Sequence, residues 1–368
     1  MNCKKMDISL QRISIQEIKD GIVVERDDNH LFENAFLYRR KEIFLKNPNL
    51  EDDNSACAYL VRVDGAVVGH LFPFPTKIKA GDSVIKATSA SDLLVLEEFE
   101  KYAVGADLVM APIKEKSSEA VVLADISEDG MNCYHAFRYI DFALPKMIQP
   151  HSTRFVFQNY GLKGLTLNVA CFLANLLLKP FIAFSMCRLR IFAKKYKVVK
   201  IEKVPEWVDD MVLCDGHKYM EIHDHKWMQW CLDNSYSGSE SHKKTFNAIY
   251  NEDGTPIGFF INYEKVTSIP IRNIFNMRQG TLMEWGSYDE RKLSELDITK
   301  IAMASFSKGM DLQQFASNDK NVLKKMRRYG FFHHNYHHVV FKDLKKKLRD
   351  SGDSNLWRLR FGYADSLF

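Results

Sequence analysis

One pattern is written twice in this chain at a fixed spacing, and it narrows the folds open to it. Asp64-Gly65-Ala66-Val67-Val68-Gly69 sits inside the apolar run Tyr59–Phe72. Asp253-Gly254-Thr255-Pro256-Ile257-Gly258 sits inside a second run, Ala248–Ile261, 189 residues further on. Each Asp is followed at 78 residues by a Phe that closes a short cationic-apolar helix, Phe142 in one copy and Phe331 in the other. Asp-Gly between apolar strands predicts a tight hairpin, because Gly takes φ > 0 without steric cost. The later glycine, Gly69 or Gly258, falls inside the returning strand, where it marks a bulge or a close approach by another backbone. One such hairpin is common. Two in matching register predict an internal duplication.

A chain of 368 residues holds two domains of about 150–180 residues. The division expected is a first domain over 1–158, a linker over 159–197 and a second domain over 198–368. In the first, residues 30–45 have helical spacing, and strands are expected at Cys57–Val63, Ala66–Phe74 and Val84–Val95. A helix from about Gly105, a strand at Ala120–Ile126 and a helix at Met131–Ile140 follow. The second repeats the order, with strands at Phe246–Tyr250, Ile257–Tyr263 and about Thr281–Trp285. Then come a helix at Ser294–Lys308, a strand at Leu312–Ala316, a helix at Asn318–Tyr329 and a strand at Phe331–Phe341. Antiparallel strands followed by alternating helix and strand predict an α+β fold of two mixed sheets, not a doubly wound one.

Leu165–Cys187 is long and apolar enough to span a bilayer, and a basic run, Arg188 to Lys200, follows it. Asn168, Asn175, Lys179 and Pro180 lie within it, and a central Lys costs about 2.5–3.5 kcal/mol on insertion. Three readings remain: a span, a helix lying on a membrane surface through 165–200, and a buried interdomain helix kinked at Pro180. The last is expected, since two domains need apolar packing between them. The net charge of +4 builds no field for nucleic acid. The seven cysteines are scattered and form no Cys-x-x-Cys pair. With an N-terminus of no signal-peptide character, they predict a cytoplasmic protein.

No Walker A, dinucleotide or Gly-x-Ser-x-Gly motif occurs. Histidines cluster at His333, His334, His337 and His338. On a strand His333 and His337 would share one face and His334 and His338 the other, so neither face gathers three ligands and no metal is expected.

The segment Leu94–Leu108 resembles the cofactor strand and loop of the GNAT superfamily, the acyl-CoA-dependent N-acyltransferases. There, small residues spaced as Gly/Ala-x-Gly/Ala open a helix, and Ala103 and Gly105 match them. Small residues let backbone N–H groups approach a pyrophosphate, and the helix dipole favours its charge. Asp141-Phe142 and the following Ala143–Ile148 also resemble two-unit members of the family. The resemblance implies acetyl-CoA or another acyl-CoA held by Val95, Lys101, Ala103, Val104, Gly105 and Ala106. It implies a small-molecule amine as acceptor, an amino sugar by analogy with two-unit relatives in cell-surface polysaccharide pathways. Asp92 and Glu97 are the carboxylates placed to take the amine's proton. Phe137 stands where the family's acid Tyr belongs, leaving Tyr134 or Tyr139 to substitute.

Two departures keep a second reading open, a silent binding or scaffold protein that retains the fold. Glu100 replaces the family's Arg or Gln, with Glu97, Glu98 and Asp107 nearby. In the second domain, Ser294-Glu295-Leu296-Asp297 predicts a helix capped by its own side chains, so no acyl-CoA is expected there.

Overall fold

Both hairpins form, and their turns show how differently one dipeptide can be used. The computed structural model describes residues 6–22, 41–124, 126, 128–234, 242–269 and 274–362. Asp64 and Gly65 both have positive φ, 49° and 88°, the two-residue turn that matches strand twist. At the second site only Gly254 is left-handed. That loop is wider and is closed by Asn251, whose carbonyl accepts from Gly254 N at 3.2 Å and whose side chain accepts from Thr255 N at 2.8 Å. The inner glycines do match. A bulge places Val68 as the extra residue beside Gly69, and another places Ile257 beside Gly258. A Cβ on Gly69 would lie 3.0 Å from the Leu94 carbonyl oxygen, and one on Gly258 2.9 Å from that of Gly286. Each is a close approach by the next strand's backbone.

The first half runs β1 (Ile8–Ser14), α1 (Ile15–Lys19), α2 (described over 41–45), β2 (Ala56–Val63), β3 (Ala66–Ala80), β4 (Ser83–Val95), α3 (Glu97–Glu100), α4 (Val104–Lys114), β5 (Ala120–Ala124), α5 (Glu128–Ala136) and β6 (Ile140–Pro150). Helices α6 (Arg154–Asn159) and α7 (Gly164–Ala193) lead into the second half. That half opens with β7 (Lys197–Ile201), α8 (Trp207–Leu213), β8 (Tyr219–Glu221) and α9 (His225–Asp233). It continues through β9 (His242–Tyr250), β10 (Pro256–Ile269), β11 (Ile274–Ser287), α10 (Glu295–Ser305), β12 (Leu312–Ala316), α11 (Lys320–Met326) and β13 (Phe332–Asp343). The expected α+β order holds through both halves. Of the helix expected at 30–45, residues 30–40 lie outside the described ones.

The strands form one mixed sheet in the order β1-β2-β3-β4-β5-β13-β6-β12-β11-β10-β9-β7. The last strand of each half crosses into the other. β13 lies between β5 and β6, and β6 lies between β13 and β12. One apolar core, including Phe72, Phe142, Phe246, Phe259 and Trp357, accordingly draws on both halves. The exchange ties the halves with backbone ladders as well as with apolar burial.

Three expectations need correction. The hydrophobic linker is a single helix, α7, continuous through Pro180, but it is not buried. Leu167, Cys171, Ile182, Met186 and Leu189 pack inward, whereas most of its other large apolar side chains are exposed. The helix expected to reach Ile140 stops at Ala136, before Arg138 turns left-handed with φ 58°. In β13 a bulge between His333 and Asn335 breaks the two-residue alternation. The histidines scatter: His337 is buried against the Phe361 ring, His338 pairs with Asp141 at 3.0 Å, and His333 is exposed.

Candidate functional site

β4 and β5 run parallel only from Ala87–Ser89 against Ala120–Val122. β4 then continues to Val95, and the two strands part. The cause is local. The register with β3 slips between His70 and Phe72, and opposite that slip Asp92 takes φ 52°. A non-glycine residue held there costs about 1–3 kcal/mol, and Asp is among the residues that tolerate it best. The bulge bends β4 away and leaves a notch beside Leu93–Val95.

The chain turns through α3 and enters α4 at Ala103, which is left-handed with φ 58°. No side chain caps α4. A helix's first amides have no partner within it; Val104 is fully buried, whereas Gly105, half-buried, brings its amide nearer the surface beside the notch. Ala106 N is spent on the Ala103 carbonyl at 2.9 Å. A Cβ on Gly105 would meet only Val95 Cγ2, at 3.6 Å, which places Val95 against the start of α4. Asp92, Val95, Glu97, Lys101, Ala103, Val104, Gly105 and Ala106 thus lie along one path from the bulge to the helix. Glu97, Glu98, Glu100 and Asp107 are exposed at its rim and none caps the helix. Lys101 is exposed, with Nζ 5.0 Å from the Tyr102 ring centre.

The second half repeats the plan and closes it. β11 and β12 are parallel over Gln279–Thr281 and Leu312–Gln314 and then part, with β11 bulged between Glu284 and Leu282. Here the gap holds the chain's own C-terminal segment. Gly362 N donates to the Met283 carbonyl at 2.8 Å. Arg360 pairs with buried Glu284 at 2.6 Å, and the Arg358 guanidinium lies 4.2 Å from the Trp285 ring centre. α10 is capped as expected, Asp297 N donating to Ser294 Oγ at 3.3 Å. Glu295, next along, is half-buried and accepts from Ser317 Oγ. Burial raises the Glu295 carboxyl to about 7, against the hydrogen bond from Ser317.

No family model and no curated protein sequence matches the chain. Solved structures do. Saccharomyces cerevisiae N-myristoyltransferase, with bound myristoyl-CoA, superposes with a TM-score of 0.55 over 91% of this chain and 78% of its own, at 11% identity. A GCN5-related N-acetyltransferase from Anabaena variabilis gives 0.53 over 92% and 73%, also at 11% identity.

The chain has the two-unit GNAT fold.

Within this GNAT fold the two expected phenols lie apart from the open path. Tyr134 and Tyr139 are buried in the cluster beneath α4, with Val104, Leu108 and Leu123. Their ring centres are 5.1 Å apart, edge to face. Neither hydroxyl has a hydrogen-bond partner among the described residues. Burial raises both phenols well above their ordinary range. Tyr139 lies past the end of α5, not on a neighbouring turn of it.

Sequence reasoning missed a buried ionic network. His223 is wholly buried, stacked 3.5 Å from Trp227, hydrogen-bonded to Glu284 and 3.0 Å from Glu221. Thr76 of the first half donates to Glu221 at 2.7 Å. Asp215 is paired with Arg358 at 2.6 Å and His217 at 2.8 Å. Burial works against ionisation of Asp215, yet the His217 hydrogen bond and the Arg358 and Arg360 charges hold it well below the usual carboxylate range. Asp215, His217 and Glu290 bring potential ligand atoms within 4.8 Å of one another, but Arg358 is bonded to both carboxylates. The only sequence signal was the alternation Trp357-Arg358-Leu359-Arg360, a strand-like run with one charged face.

Proposed function

We propose that this protein is an acyl-CoA-dependent N-acyltransferase whose first unit holds the acyl-CoA. One observation carries the reading: the uncapped start of α4 beside the parted end of β4. The neighbours support acyl transfer, one being described as an N-acetyltransferase and the other carrying myristoyl-CoA. A bound acyl-CoA would supply an activated thioester. Its pyrophosphate would meet the Gly105 end of the uncapped helix and the positive end of the helix dipole. Val95 flanks that position and Lys101 adds a cation, while the four rim carboxylates weaken the field. Micromolar affinity is therefore expected. Asp92 or Glu97 takes the proton released as the amine becomes an amide. Tyr134 and Tyr139, expected to return a proton to the departing thiolate, are buried apart from that path, so the thiolate takes its proton from water. The acceptor is a small amine, an amino sugar by the resemblance, with acetyl as the acyl group and the cytoplasm as the setting. The paired bulges at Val68 and Ile257, 189 residues apart, support descent of the units from a duplication.

Phe137, which has no proton to give, favours the silent-scaffold reading, and one experiment separates the two. Calorimetric titration with acetyl-CoA and longer acyl-CoAs should show binding that Gly105→Glu abolishes. An amine screen should then find turnover that falls about hundredfold in Asp92→Asn, with acyl-CoA binding unchanged. No binding by the native chain would leave the scaffold reading standing.

A further inference from the structure

The exposed side of α7 is a second apolar face on a helix that has already used one. At 1.5 Å per residue its thirty residues extend about 45 Å. At 100° per residue, the buried Leu167, Cys171, Ile182, Met186 and Leu189 form one face, of which Ile182, Met186 and Leu189 pack into the second unit's apolar cluster. Opposite them, Leu165, Phe172, Leu173, Leu177, Phe184 and Ile191 recur at intervals of about one or two turns, each at least 59% exposed. This stripe is far larger than the scattered apolar residues of an ordinary surface. Lys179 and Arg190 border it on one side and Arg188 on the other, all exposed. Lys194 and Lys195 follow its last turn, also exposed.

Charge identifies the occupant. From Phe142 to Ile201 the chain has ten Lys or Arg and no Asp or Glu. The other 41 Lys and Arg stand against 47 Asp and Glu. A second copy would bring two such cationic segments together, which is unfavourable. A span would strip the buried face from its protein partner and place Lys179 in hydrocarbon. A bilayer bearing anionic headgroups satisfies both features, with apolar side chains entering about 5–10 Å and the flanking cations reaching the phosphates.

We infer that α7 seats this protein on an anionic phospholipid surface as an in-plane helix. The test is flotation of the full chain with phosphatidylcholine vesicles, with and without about 30% phosphatidylglycerol. The native protein should float with the anionic vesicles and at least tenfold less with neutral ones. Leu177→Glu/Phe184→Glu changes only exposed positions, so its melting curve should be native while flotation falls about hundredfold. Lys194→Ala/Lys195→Ala should weaken flotation about tenfold to thirtyfold, and added salt should do the same to the native chain. Flotation that ignores headgroup charge would overturn the inference, as would failure to float with either vesicle. So would self-association, seen by light scattering, that the Leu177→Glu/Phe184→Glu variant abolishes.

Discussion

Where β4 leaves β5, the next helix begins with its first amides uncapped. Where β11 leaves β12, the next helix is capped by Ser294, and the gap holds the segment that carries Arg358 and Arg360. Both notches arise the same way, from a short parallel pairing and a bulge in the longer strand. They differ in what satisfies the backbone and the charge at the notch. In the second, the protein's own guanidinium stands where a ligand would, and a carboxylate, Glu295, sits in the first turn of the helix. The lesson is that one notch geometry can be left open at the helix start or filled by the chain itself. The second notch anchors the Arg358–Gly362 segment, and through Glu221 and Thr76 it is tied to the first unit.

The comparison is broken most severely by removing the plug. Arg360→Ala leaves Glu284, which is wholly buried, without its guanidinium. Breaking a buried pair on one side costs about 3–5 kcal/mol, to be read in urea denaturation. A loss below about 1 kcal/mol would mean that the segment lies on the notch without holding it.

The pH dependence of stability probes the same network. Burial alone would lower the His223 pKa, but Glu221 and Glu284 raise it from 6.5 to about 9. Between those values the folded chain binds a proton that the unfolded chain has released. The contribution is therefore complete below about pH 6.5 and is lost as pH rises through about 9. A fall of roughly a few kcal/mol over that window is expected in melting experiments. His223→Gln should be less stable at neutral pH and lack the fall.

In the first notch the matched change is Gly105→Glu. The new Cβ has room, since its nearest neighbour would be Val95 Cγ2 at an ordinary contact distance. A carboxylate in the first helical turn adds about 0.3–1 kcal/mol of stability through the helix dipole. Acyl-CoA affinity should nonetheless fall at least about hundredfold, roughly 2.7 kcal/mol. Native affinity in this variant would place the pyrophosphate elsewhere.

Legibility followed locality. The hairpins, the inner-glycine bulges, the Ser294 cap and the small residues opening α4 are set by neighbours within a few positions, and each could be read in order along the chain. The exchange of β6 and β13 could not, because strand order depends on contacts between segments far apart. The pairing of Arg360 with Glu284 was hidden for the same reason. The apolar composition of α7 predicted a helix correctly. It said nothing of which face would be covered, and the need for apolar packing between two domains does not decide how much of the helix that packing covers. Asp92 offers sequence reasoning a carboxylate, whereas the fold sets its left-handed backbone at the β4 bulge.

The smallest expected effect is the sharpest test of why the second notch is closed. Ser294→Ala removes the side-chain acceptor for Asp297 N and should cost about 1 kcal/mol, the usual worth of such a cap. If the cap alone excluded an acyl-CoA, the variant would gain a second binding site. It should gain none, because the Arg358–Gly362 segment still fills the gap and the half-buried Glu295 still lies in the first turn. Calorimetry on Ser294→Ala should show the native stoichiometry. A doubled stoichiometry would make a single hydroxyl the whole difference between the two units, and the ionic plug merely its consequence.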